Sequence, residues 1–379
     1  MPRRPSPLLP AAAAAVLTCL ALAPPAHAAA PTGTGGTRWH VVHPGESIQQ
    51  AVDAARPGDG VLVLPGTYRE SVRITTPHLT LQGLGQDAVL TPPEAPATSQ
   101  ATPQAGRRSE QPPAPPAGSC AAAGHGICVD GTAAAPLPGV TVATLTVRGF
   151  PKNGLDASGT DGLQVHGVLA LDNGQQGISE EKSVRSVVRD NDARGNGQAG
   201  VFLANAAYEE GGAIDTRGSV ISGNRLSGNR LGVVVRRARE LTVAANEVHG
   251  NCGGVFVIGD ENRPRAGALT VRGNHVYENN AYCPPNPRLG FIQGSGILFT
   301  GAEDSLVTEN RVEDNTGDSS MSGGIVLLRS LVGSPNSGIT VTDNLVLRNG
   351  PADLADRDTG SGNTFARNTC AVSEPAGHC

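Results

Sequence analysis

The 379-residue chain has a formal net charge of −5, so neither the basic field that nucleic acid demands nor an acidic tail stands out. Only 3% of its residues are aromatic, against 50 glycines and 29 prolines, a composition that suits many short strands joined by tight turns. The length admits a large core, and by itself would admit two domains.

The N-terminus stands apart from the rest. "MPRRPS" is basic, "LLPAAAAAVLTCLALA" is apolar, and "AHA" precedes Ala29. Residues 1–28 therefore read as a secretory signal, cut after Ala28. The apolar run is short for a membrane anchor and soon meets Pro24 and Pro25. Thr18 before Cys19 is a poor neighbour for lipid attachment there. No later segment is apolar enough to span a bilayer, so no membrane span is expected. The remaining cysteines are Cys120, Cys128, Cys252, Cys283, Cys370 and Cys379. An even number in an exported, extracellular chain reads as disulfides. Proximity in sequence favours Cys120–Cys128, Cys252–Cys283 and Cys370–Cys379. No C-x-x-C pair or Cys/His cluster supports a metal site instead.

Residues 38–91 open with a short helix. Ile48, Ala51, Val52 and Ala55 share one helical face, "RPGDG" stops the helix, and "VLVLP" is a strand. Residues 92–118, "PPEAPATSQATPQAGRRSEQPPAPPAG", have no apolar period and read as a disordered insertion acting as a spacer.

Residues 119–379 repeat. Asn-x4-Asn occurs at Asn191/Asn196, Asn224/Asn229, Asn246/Asn251, Asn274/Asn279, Asn310/Asn315 and Asn344/Asn349, with a worn copy at Asn173. The shortest interval between copies matches about one coil of a parallel β-solenoid, and the longer ones hold loop insertions. Between the asparagines only the middle residue is regularly apolar (Leu226, Val248, Val276, Val312, Val346), the period of a strand with one buried face. Asparagine tolerates the left-handed backbone that a sharp corner requires, and stacked coils would let equivalent amides form ladders. A glycine and a second strand follow each pair, as in "GVFL", "GVVV", "GVFV", "GILF" and "GIVL".

These repeats, with the entry segment "HPGESIQQAVDAARPGDGVLVLPGTYRESVRI", resemble the right-handed parallel β-helix proteins of the pectate-lyase-like superfamily. The resemblance spans residues 40–372, apart from the insertion. It implies a single all-β solenoid of roughly ten coils with a short N-terminal helix covering its open end, because an uncovered end exposes core and strand edges. "GNTFARNTCAVSEPAGHC" resembles the ending of secreted bacterial β-helix proteins and would close the other end. A monomer is expected.

Stacking equivalent positions exposes candidate chemistry. Outside the inter-asparagine strand, Asp192, Arg225, Glu247, His275 and Arg311 alternate in sign, as a solvated charge ladder does. His249 and His275 lie beside it, too dispersed for a metal. Outside the second strand runs an apolar line of Ser179, Phe202, Val234, Phe256, Leu298 and Val326. Such a line needs a cover of loops, or binds polysaccharide through Phe202 and Phe256. Glu180 falls at an inward position, where it must pair, sit on a bulge, or serve as an acid with a raised pKa. The superfamily includes lyases of acidic polysaccharides, with acidic residues for calcium and an Arg or Lys that removes a sugar-ring proton. Glu181, Arg236, Arg237 and Asp260 are the parts available for a lyase or epimerase, with calcium as the one cofactor to consider. A stacked run of carboxylates is missing, as is the D-P-H-D motif of the alginate-epimerase relatives. A glycan-binding solenoid without catalysis is the alternative. Met321 and scattered histidines offer nothing to the copper-maturation relatives.

Overall fold

Each repeat folds into three short strands because its apolar residues fall at alternate positions in three separate runs, each too short for a helix. The computed structural model describes residues 37–93, 118–206, 210–286 and 289–379. The signal segment lies outside these residues, and so does the insertion apart from Pro92, Pro93 and Gly118. Thr37–Cys379 form one compact unit, so the length holds one solenoid rather than two domains.

The strands stack in parallel into three long sheets. Sheet I has 12 strands, from Trp39–Val42 to Thr364–Ala366. Sheet II has 10, from Gly66–Arg69 to Leu345–Leu347. Sheet III has 11, from Val72–Ile74 to Ser373–Glu374. Stacking continues across the insertion. Val89 pairs with Thr146 in sheet II, and Val72 pairs with Ile127 in sheet III. One apolar core runs from Val42 to Leu354 along the inside.

The asparagines form two buried ladders, one at each end of the sheet II strands. Asn191, Asn224, Asn246, Asn274, Asn310, Asn344 and Asn368 donate Nδ2 to Oδ1 down the first, at 2.9–3.0 Å. Asn173, Asn196, Asn229, Asn251, Asn279, Asn315 and Asn349 make the second, which ends on Asp353. The structure corrects one point. The left-handed residue at each corner is the one before the asparagine: Asp190, Ala245, Glu309 and Asp343 on the first ladder, for example. Asn was expected to make the bend itself. It sits one position later because its amide, turned inward, bonds both neighbouring coils.

The glycine after each pair also has a packing reason. A Cβ built on Gly254 would lie 2.5 Å from the Gly296 carbonyl oxygen and 2.5 Å from a Val276 methyl. Gly200, Gly232, Gly296 and Gly324 are crowded by the next coil in the same way. Gly254→Ala is therefore expected to lower stability by about 2–3 kcal/mol, since backbone must move, and urea unfolding of the variant measures it.

The helix Ile48–Ala54 places Ile48 and Val52 in the N-terminal end of the core. Glu70 holds its start, accepting from the Ile48 N–H at 2.7 Å, the Gln49 N–H and the Ser47 hydroxyl. All three disulfides form in the pairing that proximity favours. Near the far end, the tail carrying Cys370–Cys379 lays His378 on Phe365, with ring centres 4.3 Å apart.

Candidate active site

The outer face of sheet III carries two lines of side chains. The first, coil by coil, is Arg73, Cys128, Asp156, Ser179, Phe202, Val234, Phe256, Leu298 and Val326. The second is Asp130, Ser158, Glu181, Ala204, Arg236, Ile258, Thr300 and Leu328.

The face divides at Phe202. Beyond it the line is apolar and covered. Phe202, Val234, Phe256, Leu298 and Val326 join Cys252, Ile292 and Met321 in a second apolar cluster, with Cys283 packed against it. Phe256 is 2% exposed and Phe202 8%. Neither ring is presented to a sugar. The loops provide the cover that such a stripe needs.

The charged candidates separate. Arg237 turns off the strand with φ of 50° and is buried. Its guanidinium binds Asp260, and it reaches Glu210 at 2.6 Å. Asp260 also accepts from the Asn262 N–H at 2.9 Å. These groups neutralise one another, as buried charges must, so Arg237 and Asp260 form a structural ion cluster and not the base and ligand pair expected of them. Arg236 and Glu181 stand on one line, two coils apart, with Ala204 between them. Glu180 faces inward opposite Leu203 and is 1% exposed. Burial pushes its carboxyl up to about 7, and only a 2.6 Å bond from the Ser186 hydroxyl opposes this. A group with no route to the outer face is not a catalytic acid. Its shift comes from the core.

On sheet II the alternating ladder pairs across coils at one step, Arg225 lying 3.6 Å from Glu247, whereas Asp192 and Arg311 bind Arg194 and Glu313 on their own strands. His249 and His275 both stack on Tyr277, whose hydroxyl donates to Glu247 at 2.9 Å. Among the described residues no group of three His, Cys, Asp or Glu side chains is placed to hold a metal.

The half of the sheet III face before Phe202 is different. Asp130, Asp156 and Glu181 project outward from three successive coils. Asp156 and Glu181 are diagonal neighbours, so their backbones lie roughly 7–8 Å apart with both side chains on one side. Asp156 accepts from Asn153 Nδ2 at 2.6 Å. The His125 ring is beside it, Nε2 being 3.9 Å from Oδ2. Burial holds His125 below the usual histidine range, Lys152 adds to this, and Asp156 and Asp130 oppose it. Arg73 binds Asp130 at 2.6 Å. Lys152 lies against Gly124, and Lys182 occupies the corner after Glu181.

Of this group the sequence picked out Glu181 alone. Asp156, Asp130 and His125 were missed, although aligning "GICVDG" and "GLDASG" with "GISEEK" and "GVFLAN" by their glycines would have shown the line turning polar. The contact between His125 and Asp156 has no such signal, because a disulfide-bonded loop creates it.

Residues 119–266 match the family model described as the right handed beta helix region. No curated protein sequence matches the chain. Among solved structures it is similar to the mannuronan C-5 epimerase AlgE4 A-module of Azotobacter vinelandii, with 16% identity and a TM-score of 0.54 over 86% of this chain and 91% of that one. It is also similar to DFA-IIIase from Arthrobacter chlorophenolicus A6, solved without its lid in complex with GF2, with 14% identity and a TM-score of 0.55 over 91% and 88%. At such identities the likeness is one of fold.

Proposed function

We propose that this chain, a right-handed parallel β-helix of the pectate-lyase-like superfamily, is exported and acts on extracellular polysaccharide at the polar half of sheet III, with Asp156 and Glu181 as its working carboxyl pair. The observation that carries this is the change of the outer line at Phe202. A buried apolar line gives way to a polar one on which two partly exposed carboxylates stand on adjacent coils, beside the buried Cys128 and Ser179. Cleavage or transfer at a glycosidic bond needs such a pair, one protonating the leaving oxygen while the other attacks or activates water. The carboxyl separations that serve those roles, roughly 5–9.5 Å, bracket diagonal neighbours of a sheet. The Asn153 Nδ2 donor on Oδ1 and the His125 ring 3.9 Å from Oδ2 suit Asp156 to the charged role, and the acid is then assigned to its diagonal neighbour Glu181. Three disulfides support export to an oxidising compartment.

A lyase or epimerase acting on acidic glycans is the second reading, favoured by the basic rim of Arg73, Lys152 and Lys182, which would hold a sugar carboxylate. The parent protein is to be assayed on neutral and uronate polysaccharides, with calcium and with chelator, following both reducing ends and the ultraviolet absorbance of unsaturated sugars. New reducing ends without absorbance support glycosidic hydrolysis. Calcium-dependent absorbance supports the lyase. Asp156→Asn and Glu181→Gln are each expected to cut turnover on the order of 10²–10⁴-fold with melting unchanged. Full activity in both variants would remove the site. Retention on a glycan column without turnover, lost in the same variants, would make it a binding face.

A further inference from the structure

We infer that the Cys120–Cys128 disulfide and His125 form a positioning device for Asp156, the disulfide aiming the imidazole at the carboxylate. This rests on the reading of Asp156 given above.

The bridge closes a loop only eight residues long. A loop this short restrains the unfolded chain least, so stability of the whole solenoid is a weak reason for it. Its location is a better one. Cys128 belongs to the outer line of sheet III and pairs directly with Asp156 in the next coil. Cys120 starts a four-residue helix, Cys120–Ala123, too short to persist alone. The bridge ties that turn to the strand bordering the site.

Everything after the turn leads to the ring. Gly124 ends the helix in the left-handed conformation, with φ of 85°. The His125 N–H then donates to the Cys120 carbonyl at 3.1 Å, and the His125 carbonyl accepts from the Ser71 hydroxyl at 2.7 Å. The backbone is thus fixed on both sides of the ring. The imidazole Nδ1 accepts from the Asn153 N–H at 3.2 Å. That bond assigns the ring proton to Nε2, the atom facing Asp156 Oδ2 at 3.9 Å. Asn153 Nδ2 holds the other carboxylate oxygen. With Nδ1 occupied by a backbone donor, His125 does not relay protons. It is a neutral ring that turns Nε2–H to the carboxylate as a charge–dipole contact, 3.9 Å being beyond hydrogen-bond reach. The charged groups facing the ring are Asp156, Lys152 and Asp130.

The test has one arm that needs no substrate. The His125 titration is followed by NMR in the parent protein, in Asp156→Asn, in Cys120→Ser/Cys128→Ser, and in the combined triple variant. With the disulfide present, Asp156→Asn should push the His125 titration further down, because the attracting carboxylate is gone. Without the disulfide, Asp156→Asn should move it little. An equal displacement in both backgrounds overturns the inference, whatever the enzyme assays give. The second arm uses the glycan that the screen identifies. Cys120→Ser/Cys128→Ser and His125→Ala should each lower kcat roughly tenfold to a hundredfold with KM nearly unchanged and melting close to the parent. His125→Gln, which keeps an N–H donor, should recover part of the loss. Unchanged kcat in the disulfide variant overturns the device and leaves Asp156 in its role. An inactive parent with coupled titrations overturns the catalytic reading and leaves the device.

Discussion

Asn251→Ala is expected to be the most damaging small substitution in the solenoid, with a loss of about 3–4 kcal/mol in urea unfolding. The Asn251 side chain accepts from the Asn229 backbone and side-chain amides at 2.9 and 3.1 Å. It donates to the carbonyls of Leu226 and His249 and to Asn279 Oδ1. Alanine removes all of these at a site with no exposure. The cost therefore comes from stranded donors and acceptors, not from lost apolar area. Asn368→Ala is the internal control. Asn368 ends its ladder, is partly exposed, and accepts from Asn344 alone. It should cost less than half as much. Equal losses would mean that the amides act through corner conformation and not through the ladder.

At pH 8, Glu180→Leu should unfold at higher urea than the parent, with a gain approaching 3 kcal/mol. The carboxyl is raised from 4.5 to about 7 in the folded chain. Below pH 4.5 it is protonated in both states and ionisation costs nothing. As pH climbs from 4.5 to about 7, the unfolded chain ionises while the folded chain must keep its proton, so stability falls. Above about 7 the full penalty stands. Oε1 has no hydrogen-bond partner, so burial meets little compensation. Leucine matches Leu203 on the adjacent coil, and Ser186 keeps a bond to Ser219 at 3.1 Å. The parent should therefore lose stability between pH 5 and 8 while the variant stays flatter. Parallel curves would show that the carboxyl finds a charge partner or water inside the coil.

Much of this molecule was legible as pattern. The Asn-x4-Asn spacing, the glycine after it and the single apolar residue between define a coil, because strand alternation and corner sterics act over a few residues. The inward position of Glu180 and the apolar stretch of the sheet III line from Phe202 to Val326 followed from alternation as well. What the asparagines do was only half legible. Their tolerance of left-handed backbone was the obvious reason for them, yet the bend falls on the preceding residue.

The site was the least legible part. Arg237 and Asp260 looked like chemistry because charged residues cluster there in sequence. In space they neutralise each other under Glu210. Phe202 and Phe256 looked like a sugar platform, and distant loops bury them. The sequence alone determined the repeat, the faces of two of its strands, the cysteine pairing and the inward carboxyl, since each depends on residues close in the chain or on one fixed period. Only the tertiary structure decided which part of sheet III the apolar loops cover, which charges are spent on one another, and that His125 meets Asp156. Those outcomes depend on where insertions of irregular length lie across the coils, and no local period encodes that.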